Sequence, residues 1–258
     1  MKKLQQAHGV GRITPVVAMK RPVPSPPTVP SLRAIPFLKT TADSIVRLTP
    51  RQREQLLQIG VRVRLPGRSV IYREGAQSDS VYVVADGAVK CYRHLPSGRR
   101  ALCAFLFSRD LFGLSEDGHY VNTAQAVSDV TLYRLPLEEL AHLLKQDGDL
   151  QFQFLSKITH ELRESYRRTI LVGRRDAAGR LAMFLALMAA RIAPGSLDDG
   201  EIPLPMSRAD IADYLGLSVE SISRAAADLE RREIAVLEGR HRARVVDRSK
   251  LIKLAAAI

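Results

Sequence analysis

Short runs rich in β-forming apolar residues, separated by polar and turn-forming residues, occupy much of the region between residues 61 and 107. The runs are VRVRL (61–65), SVYVVADG (80–87), AVKCYR (88–93) and RALCAFLF (100–107). They are separated by turn-forming residues, namely Pro66-Gly67, Glu74-Gly75, Asp86-Gly87 and Pro96-Ser97-Gly98. Closely spaced β-rich segments bounded by such residues are typical of antiparallel sheets. The pattern predicts an antiparallel β-roll or barrel.

From Leu137 onwards the spacing becomes helical. A helix of roughly 20 residues from Leu150 carries one apolar stripe, formed by Leu155, Ile158, Leu162, Thr169 and Ile170. Such a stripe is buried either against the chain's own β-roll or against a second copy, as a parallel helix pair. The segments that follow favour self-association. The next helix, AAGRLAMFLALMAAR (177–191), is almost wholly apolar and is expected inside a second domain.

Residues 206–234 are predicted to form two short helices joined by a glycine turn. Ser207 is placed to cap a helix that begins at Arg208. Gly216 supplies the permissive backbone that ends this helix, and Ser218 caps the next one. The apolar inner positions are Ile211, Ala212, Leu215, Ile222, Ala225, Ala226 and Leu229. Two helices with a three- or four-residue turn predict a helix-turn-helix.

Polar residues remain on the outer, N-terminal face of the second helix (219–232), namely Glu220, Ser221, Ser223 and Arg224. In a DNA major groove an arginine donates two hydrogen bonds to guanine, a glutamate accepts from cytosine and serine takes either role. Ser218 and the free amides of the helix end suit a backbone phosphate. The alternative is that Glu220 and Arg224, four residues apart, form a simple surface ion pair.

The next segment, IAVLEGRHRARVVDRSKL (234–251), has two β-like runs on either side of a glycine, which indicates a hairpin. Basic residues surround its tip, as expected for a wing beside DNA phosphates. The segment therefore predicts a winged helix-turn-helix. Its predicted DNA-binding residues are Ser207, Arg208, Ser218, Glu220, Ser221, Ser223, Arg224, Arg240, His241 and Arg242.

Composition and charge refine this picture only slightly. The chain has 258 residues, 46% of them hydrophobic, which is typical of a globular protein of two domains. The net charge is +12, but residues 1–40 hold seven basic residues and no acidic one, while residues 201–258 hold ten basic and nine acidic residues. Charge placement, and not net charge, therefore supports DNA binding. The proline-rich, basic segment 1–40 is expected to be disordered.

Several classes are not expected. No apolar run approaches the roughly 20 residues that a membrane helix needs, and the N-terminus does not resemble a secretory signal, so we expect a cytoplasmic protein. The sequence shows no glycine-rich nucleotide loop, no metal-spaced His/Cys set and no nucleophile with a base nearby. We therefore expect no enzyme activity and no metal. No residue pattern selects a haem ligand among His94, His119, His142 and His160.

The order of β-roll, long helix and winged helix-turn-helix resembles the Crp/Fnr family of bacterial transcription regulators. The β-roll marks are YREGAQSDSVYVVADGAVKCY (72–92) and RDLFGLS (109–115), and the more specific mark is LPMSRADIADYLGLSVESISRAAADLER (204–231). Val219-Glu220 with Ser223-Arg224 is similar to the Fnr and FixK branch. The resemblance implies an α+β protein with four segments: an extension (1–40), a cyclic-nucleotide-binding-like β-roll (41–148), a dimerisation helix (149–173) and a winged helix-turn-helix domain (174–258).

The same resemblance implies a homodimeric activator that binds double-stranded DNA at an inverted TTGAT-like repeat and contacts RNA polymerase. Some family features are missing. Gly113 is followed by leucine instead of glutamate, and no arginine lies between Leu111 and Tyr133, so cAMP is not expected as the effector. Residues 1–90 contain no cysteine for an iron–sulfur cluster. A FixK-like regulator without cofactor, or with an unidentified effector, remains.

Two further hypotheses stay open. If Pro96-Ser97-Gly98 closes a hairpin, Cys91 and Cys103 are candidate cross-strand neighbours for a redox disulfide, whereas a reducing cytoplasm favours two packed thiols. The alternative function is a ligand-binding β-roll module that regulates a protein partner through its helical end.

Overall fold

The computed structural model describes residues 49–115, 117–173, 176–192 and 200–256, without the side chains of residues 160 and 161. The N-terminal half contains α1 (Pro50–Ile59), β1 (Val61–Leu65), β2 (Val70–Tyr72), β3 (Ser80–Asp86), β4 (Val89–His94), β5 (Arg100–Leu106), β6 (Leu111–Phe112), β7 (Thr123–Ala126) and β8 (Val130–Pro136). The C-terminal half contains α2 (Leu137–Gln146), α3 (Gly148–Gly173), α4 (Ala177–Ile192), β9 (Glu201–Pro203), α5 (Arg208–Leu215), α6 (Val219–Arg231), β10 (Ala235–Glu238), β11 (Arg242–Val245) and α7 (Arg248–Ala256). The predicted disordered extension, residues 1–40, lies outside the described residues.

The first eight strands form a β-roll of two antiparallel four-stranded sheets. The strand orders are β1-β8-β3-β6 and β2-β7-β4-β5. Alternation along the strands sends one set of side chains into a core between the sheets. Val84, Val89 and Leu132 are almost completely buried there. The predicted antiparallel β-roll is confirmed.

The predicted cysteine pair is absent from this sheet. Across the β4–β5 ladder Cys91 lies opposite Ala104, and the register shifts between Cys91 and Tyr92, whose partner is Leu102. Cys103 is therefore the extra residue of a β-bulge. Cys91 is buried in the core between the sheets, and Cys103 is a separate, half-buried free thiol. The expectation that the two are cross-strand neighbours is wrong, because the bulge changes the register that a symmetric hairpin would have.

The long helix α3 connects the β-roll to the winged domain, which is built from α4 to α7 and a three-stranded sheet of order β10-β11-β9. The predicted apolar helix corresponds to α4, which is buried from Leu181 to Ala189. Its core continues into the β-roll, because Leu102 and Phe105 belong to the same apolar cluster. The two domains are therefore packed together. No helix of the described part of the chain is long and apolar enough to cross a membrane.

Candidate nucleic-acid interface

The predicted helix-turn-helix is formed by α5 and α6, and short local signals fix its ends. Ser207 caps α5, because its Oγ accepts a hydrogen bond from the Asp210 amide at 3.1 Å. Gly216 ends α5 with a φ of +64°, the left-handed conformation that favours glycine. Ser218 caps α6 by accepting from the Ser221 amide at 3.1 Å. All three caps lie where the sequence predicts them.

The apolar faces of the two helices pack against each other and against α4. Ile211, Ala212 and Leu215 are buried on α5, as are Ile222 and Leu229 on α6. Burial of these side chains fixes which face of α6 points outwards, because the period of 3.6 residues leaves the opposite side free.

That outward side is what we call the leading edge of α6, consisting of Val219, Glu220, Ser223 and Arg224. All four residues are exposed. No hydrogen bond or ion pair joins the described side chains of Glu220 and Arg224, so the surface ion pair considered as an alternative does not form. Ser223 donates to the carbonyl of Val219 at 3.1 Å.

The carboxylate of Glu220 is stabilised as an anion. Its own backbone N–H and the Ser218 hydroxyl lower its pKa, with a smaller contribution from the Arg224 charge. A carboxylate at a helix N-terminus is also favoured by the helix dipole. The leading edge therefore presents an ionised hydrogen-bond acceptor beside a guanidinium donor at neutral pH.

Val219 is not among the predicted DNA-binding residues, although the pair Val219-Glu220 contributes to the resemblance to the Fnr and FixK branch. It begins α6, directly after the Ser218 cap, and its side chain is 43% exposed. An exposed valine in this place suits apolar contact with a thymine methyl group. The position of Val219 could have indicated this, because the first residue after an N-cap lies on the same exposed edge as the polar residues that follow it. Ser221, by contrast, is half-buried and lies within hydrogen-bond distance of Ser218, Oγ to Oγ, at 3.1 Å.

The wing is the hairpin of β10 and β11. Its tip contains Gly239 with a φ of +57° and the exposed residue Arg240. Arg242 lies at the start of β11, 3.9 Å from the Glu201 carboxylate. His241 is held against the protein, with its Nδ1 3.3 Å from the Leu204 carbonyl oxygen. Arg240 is therefore the most freely presented cation of the predicted wing set.

Arg208 has an intramolecular role that the sequence did not indicate. Its guanidinium donates to the carbonyls of Leu237 at 3.4 Å and Gly239 at 3.1 Å, which ties the start of α5 to the wing. Burial lowers its pKa. The predicted DNA contact of Arg208 therefore competes with these bonds, and its clearest effect is to hold the wing in place.

An exposed apolar stripe runs along α3. It consists of five residues that are each 44–67% exposed, namely Phe152, Leu155, Ile158, Leu162 and Tyr166. Thr169 continues it and is also exposed. Ile170 does not belong to it, because its side chain is half-buried and packs against the large apolar core. The sequence prediction missed Phe152 and Tyr166, although both follow the same three- and four-residue spacing.

The opposite side of α3 faces the protein through charged groups. Lys157 lies 3.4 Å from the carboxylate of Asp110, which also pairs with Arg191 of α4. Glu164 pairs with Arg167 and lies 3.5 Å from Arg191. These buried pairs fix the rotation of α3 and so leave its apolar stripe outside.

Aromatic rings form part of the buried core between the two sheets of the β-roll. Tyr72 stacks on Tyr120 with ring centroids 3.8 Å apart, and Tyr82 stacks on Phe112 at 5.3 Å. The Tyr120 hydroxyl donates to the carbonyl of Ser80 at 2.9 Å. All four rings are buried, and burial raises the pKa of Tyr72 and of Tyr82. Among the described residues no group of three or more His, Cys, Asp or Glu side chains is arranged to hold a metal ion.

Comparisons with known proteins agree with this architecture. Residues 62–147 match the cyclic nucleotide-binding domain family, and residues 179–254 match the Crp-like helix-turn-helix domain family. The transcriptional activatory protein AadR of Rhodopseudomonas palustris is 30% identical over 81% of this chain and 87% of its own length. The nitrogen fixation regulation protein FixK of Bradyrhizobium diazoefficiens is 31% identical over 70% of this chain and 77% of its own length.

A similar chain has been solved as a structure. FixK2 from Bradyrhizobium japonicum superposes with a TM-score of 0.71 and is 32% identical, covering 78% of this chain and 99% of FixK2. The match spans the β-roll, the long helix and the winged domain.

Proposed function

The chain belongs to the Crp/Fnr family of transcription regulators, and on that premise we propose that it acts as a homodimer that reads an inverted TTGAT-like repeat. Binding of DNA through the helix-turn-helix follows from the family. The palindrome, the dimer and the individual base contacts are our proposal. Arg224 donates to guanine, Glu220 accepts from cytosine and Val219 contacts a thymine methyl group.

One observation carries this proposal: the leading edge of α6 is exposed and its two charged side chains are not spent on each other. A carboxylate is repelled by phosphate, so its presence on a DNA-facing edge is best explained by contact with a base donor. Ser218 lies at the positive N-terminal end of the α6 dipole, where a backbone phosphate beside these bases is expected. Arg240 and Arg242 extend the contact to phosphates beside the wing.

The exposed stripe of α3 supports the dimer. Five large apolar side chains on one helix face exceed what a soluble monomer normally leaves in water. The charged network behind α3 prevents the helix from rotating the stripe inwards. A parallel pair of α3 helices buries both stripes and relates two α6 helices by a twofold axis, as a palindromic site requires.

The packed aromatic core of the β-roll supports a regulator that works without cAMP. A cyclic nucleotide needs a cavity and a cation for its phosphate, whereas the space between the sheets holds four packed rings. Burying a phosphate without a cation is costly. We propose that the β-roll acts mainly as a scaffold, with no iron–sulfur cluster, and that cellular abundance or an unidentified effector sets activity. AadR, whose name describes a transcriptional activator, favours an activating role, which we propose is exerted through contact with RNA polymerase.

A mobility-shift assay tests the proposal. The duplexes carry an inverted TTGAT repeat, the same repeat with both half-sites scrambled, or one intact half-site. The full chain is expected to bind the intact repeat with a ratio of at least about 10³ over the scrambled duplex. Equal affinity for all three duplexes contradicts sequence-specific reading and favours a module that acts on a protein partner.

A further inference from the structure

Helix α5 has a second face that contacts the β-roll. Asp210, Asp213 and Tyr214 lie three and four residues apart and therefore share one side of the helix. Lys90 of β4 contacts Asp210, with its Nζ 2.6 Å from Oδ1. Arg100 of β5 lies 2.8 Å from the Asp213 carboxylate and 3.7 Å from Asp210. We call these three ion pairs the docking contact.

Aromatic packing surrounds the docking contact. The ring of Phe105 on β5 lies 5.1 Å from that of Tyr214 and 6.2 Å from that of Phe184 on α4. The guanidinium of Arg100 lies over the ring of Tyr92, 5.6 Å from its centroid. The charged groups are thus placed at the edge of an apolar interface, which shields them from water and strengthens their interaction.

The stability of the most buried ion pair, between Lys90 and Asp210, depends strongly on its geometry. The side chains of Lys90 and Asp210 are only 11% and 7% exposed. Burial by itself raises the pKa of Asp210, but hydrogen bonds from Lys90 and Ser207 outweigh it and leave this pKa lowered. The free-energy cost of removing two charges from water is offset only when the charged groups are in close contact and their hydrogen bonds are complete. A tilt of α5 away from the β-roll would separate them, so the pair favours one orientation of the helix.

The orientation of α5 determines that of α6. The two helices share a buried face, and Asp210 also accepts from the capping Ser207 hydroxyl at 2.8 Å. One carboxylate therefore fixes both the start of α5 and its attachment to the β-roll. Because the β-roll is also locked to α3 through Asp110, the docking contact links α6 to the helix of the proposed dimer.

We propose that Lys90 and Arg100 are positioning residues for DNA recognition, and that they set the distance and angle between the two α6 helices of the dimer. This inference rests on the proposed function. Two half-sites on one face of a duplex lie about 34 Å apart, so a dimer selects their spacing only if its recognition helices are held rigidly. Neither residue is required to touch DNA.

The test measures spacing preference. Anisotropy titrations use inverted TTGAT repeats whose central spacer is varied in steps of one base pair, together with a single half-site. The variants are Arg100→Glu, Asp213→Arg and the double variant. The control is Arg93→Glu, which makes the same charge change on the same hairpin. It disrupts a surface ion pair with Glu74, and both partners of that pair belong to the β-roll.

The wild type and Arg93→Glu are expected to prefer one spacer by about tenfold or more, because a fixed geometry raises the effective concentration of the second α6. Each single docking variant should lose about tenfold in affinity for that spacer and reduce the preference to less than about twofold, with half-site binding nearly unchanged. The double variant should regain part of the preference, because the pair with position 213 is restored in reverse while Asp210 still faces a carboxylate at position 100.

The outcomes separate the two proposals. If the wild type binds no duplex selectively, the proposed function fails and this inference fails with it. If the wild type selects a spacer and both single variants keep the same profile, only the positioning role is overturned. Should Arg100→Glu not fold, as judged by circular dichroism, Arg100→Gln replaces it, and an unchanged spacer profile in that variant overturns the role equally.

Discussion

Replacing Arg224 with alanine separates base recognition from folding. The Arg224 side chain is exposed and forms no ion pair with any residue that the structure describes. Alanine is at least as good a helix former as arginine. The free energy of unfolding should therefore change by less than about 0.5 kcal/mol, and any loss of binding reports the DNA contact alone.

The size of that loss follows from the two half-sites. A bidentate arginine contact discriminates its base by about 1–3 kcal/mol. A dimer loses two such contacts, about 2–6 kcal/mol, which corresponds to at least about 30-fold in affinity for the inverted repeat. Affinity for the scrambled duplex, and its dependence on salt, should stay nearly unchanged, because no phosphate contact is removed.

The assay compares both duplexes at several salt concentrations by fluorescence anisotropy. Arg231→Ala is the matched control, because Arg231 lies in the last turn of the same helix, 75% exposed and paired with Asp228. Arg231→Ala should leave the ratio between the affinities for the inverted repeat and the scrambled duplex unchanged, even if both affinities fall. An Arg224→Ala protein that keeps the wild-type ratio between the two duplexes refutes the assignment of Arg224 as a base reader.

Other predictions concern the dimer, the β-roll and the thiols. Leu162→Lys should weaken dimerisation about 100-fold or more in sedimentation experiments. The reason is that each leucine buried in the dimer contributes about 1.5–3 kcal/mol, and the dimer contains two. Leu95→Lys is the control, because Leu95 is comparably exposed on the β4–β5 hairpin, and this variant should sediment like the wild type. Tyr120→Ala should lower the free energy of unfolding by about 3–5 kcal/mol, because it removes a buried ring. Tyr120→Phe should lower it by about 1 kcal/mol, because it removes one hydrogen bond. A loss below about 1 kcal/mol for the alanine variant, measured by urea denaturation, contradicts a packed interior. Mild oxidant should leave operator affinity unchanged, since Ala104 and not Cys103 lies opposite Cys91; an intramolecular disulfide found by mass spectrometry contradicts that register.

Local features of the site could be predicted from the sequence because a few neighbouring residues encode them. Ser207, Gly216 and Ser218 end or begin their helices through hydrogen bonds and backbone angles that span three or four residues. The exposure of Glu220 and Arg224 follows in the same way from the helical period of the apolar residues beside them.

Features that depend on contacts between distant segments could not be predicted. A bulge of one residue removed Cys103 from its expected partner, and packing against the core removed Ile170 from the exposed stripe. The local pattern around Arg208 gave no sign of its hydrogen bonds to the carbonyls of Leu237 and Gly239 in the wing. Nothing in the local pattern of Lys90 indicates that its partner is Asp210.

The sequence by itself determined the order of β-roll, long helix and winged helix-turn-helix, the helix caps of α5 and α6, and the polar edge that α6 presents. Tertiary structure alone decided which charged groups are spent on internal contacts and which remain for a ligand. The physical reason is range: caps and periodicity act within one or two helical turns, whereas a buried ion pair is stable only where the packing of the whole chain brings both partners out of water together.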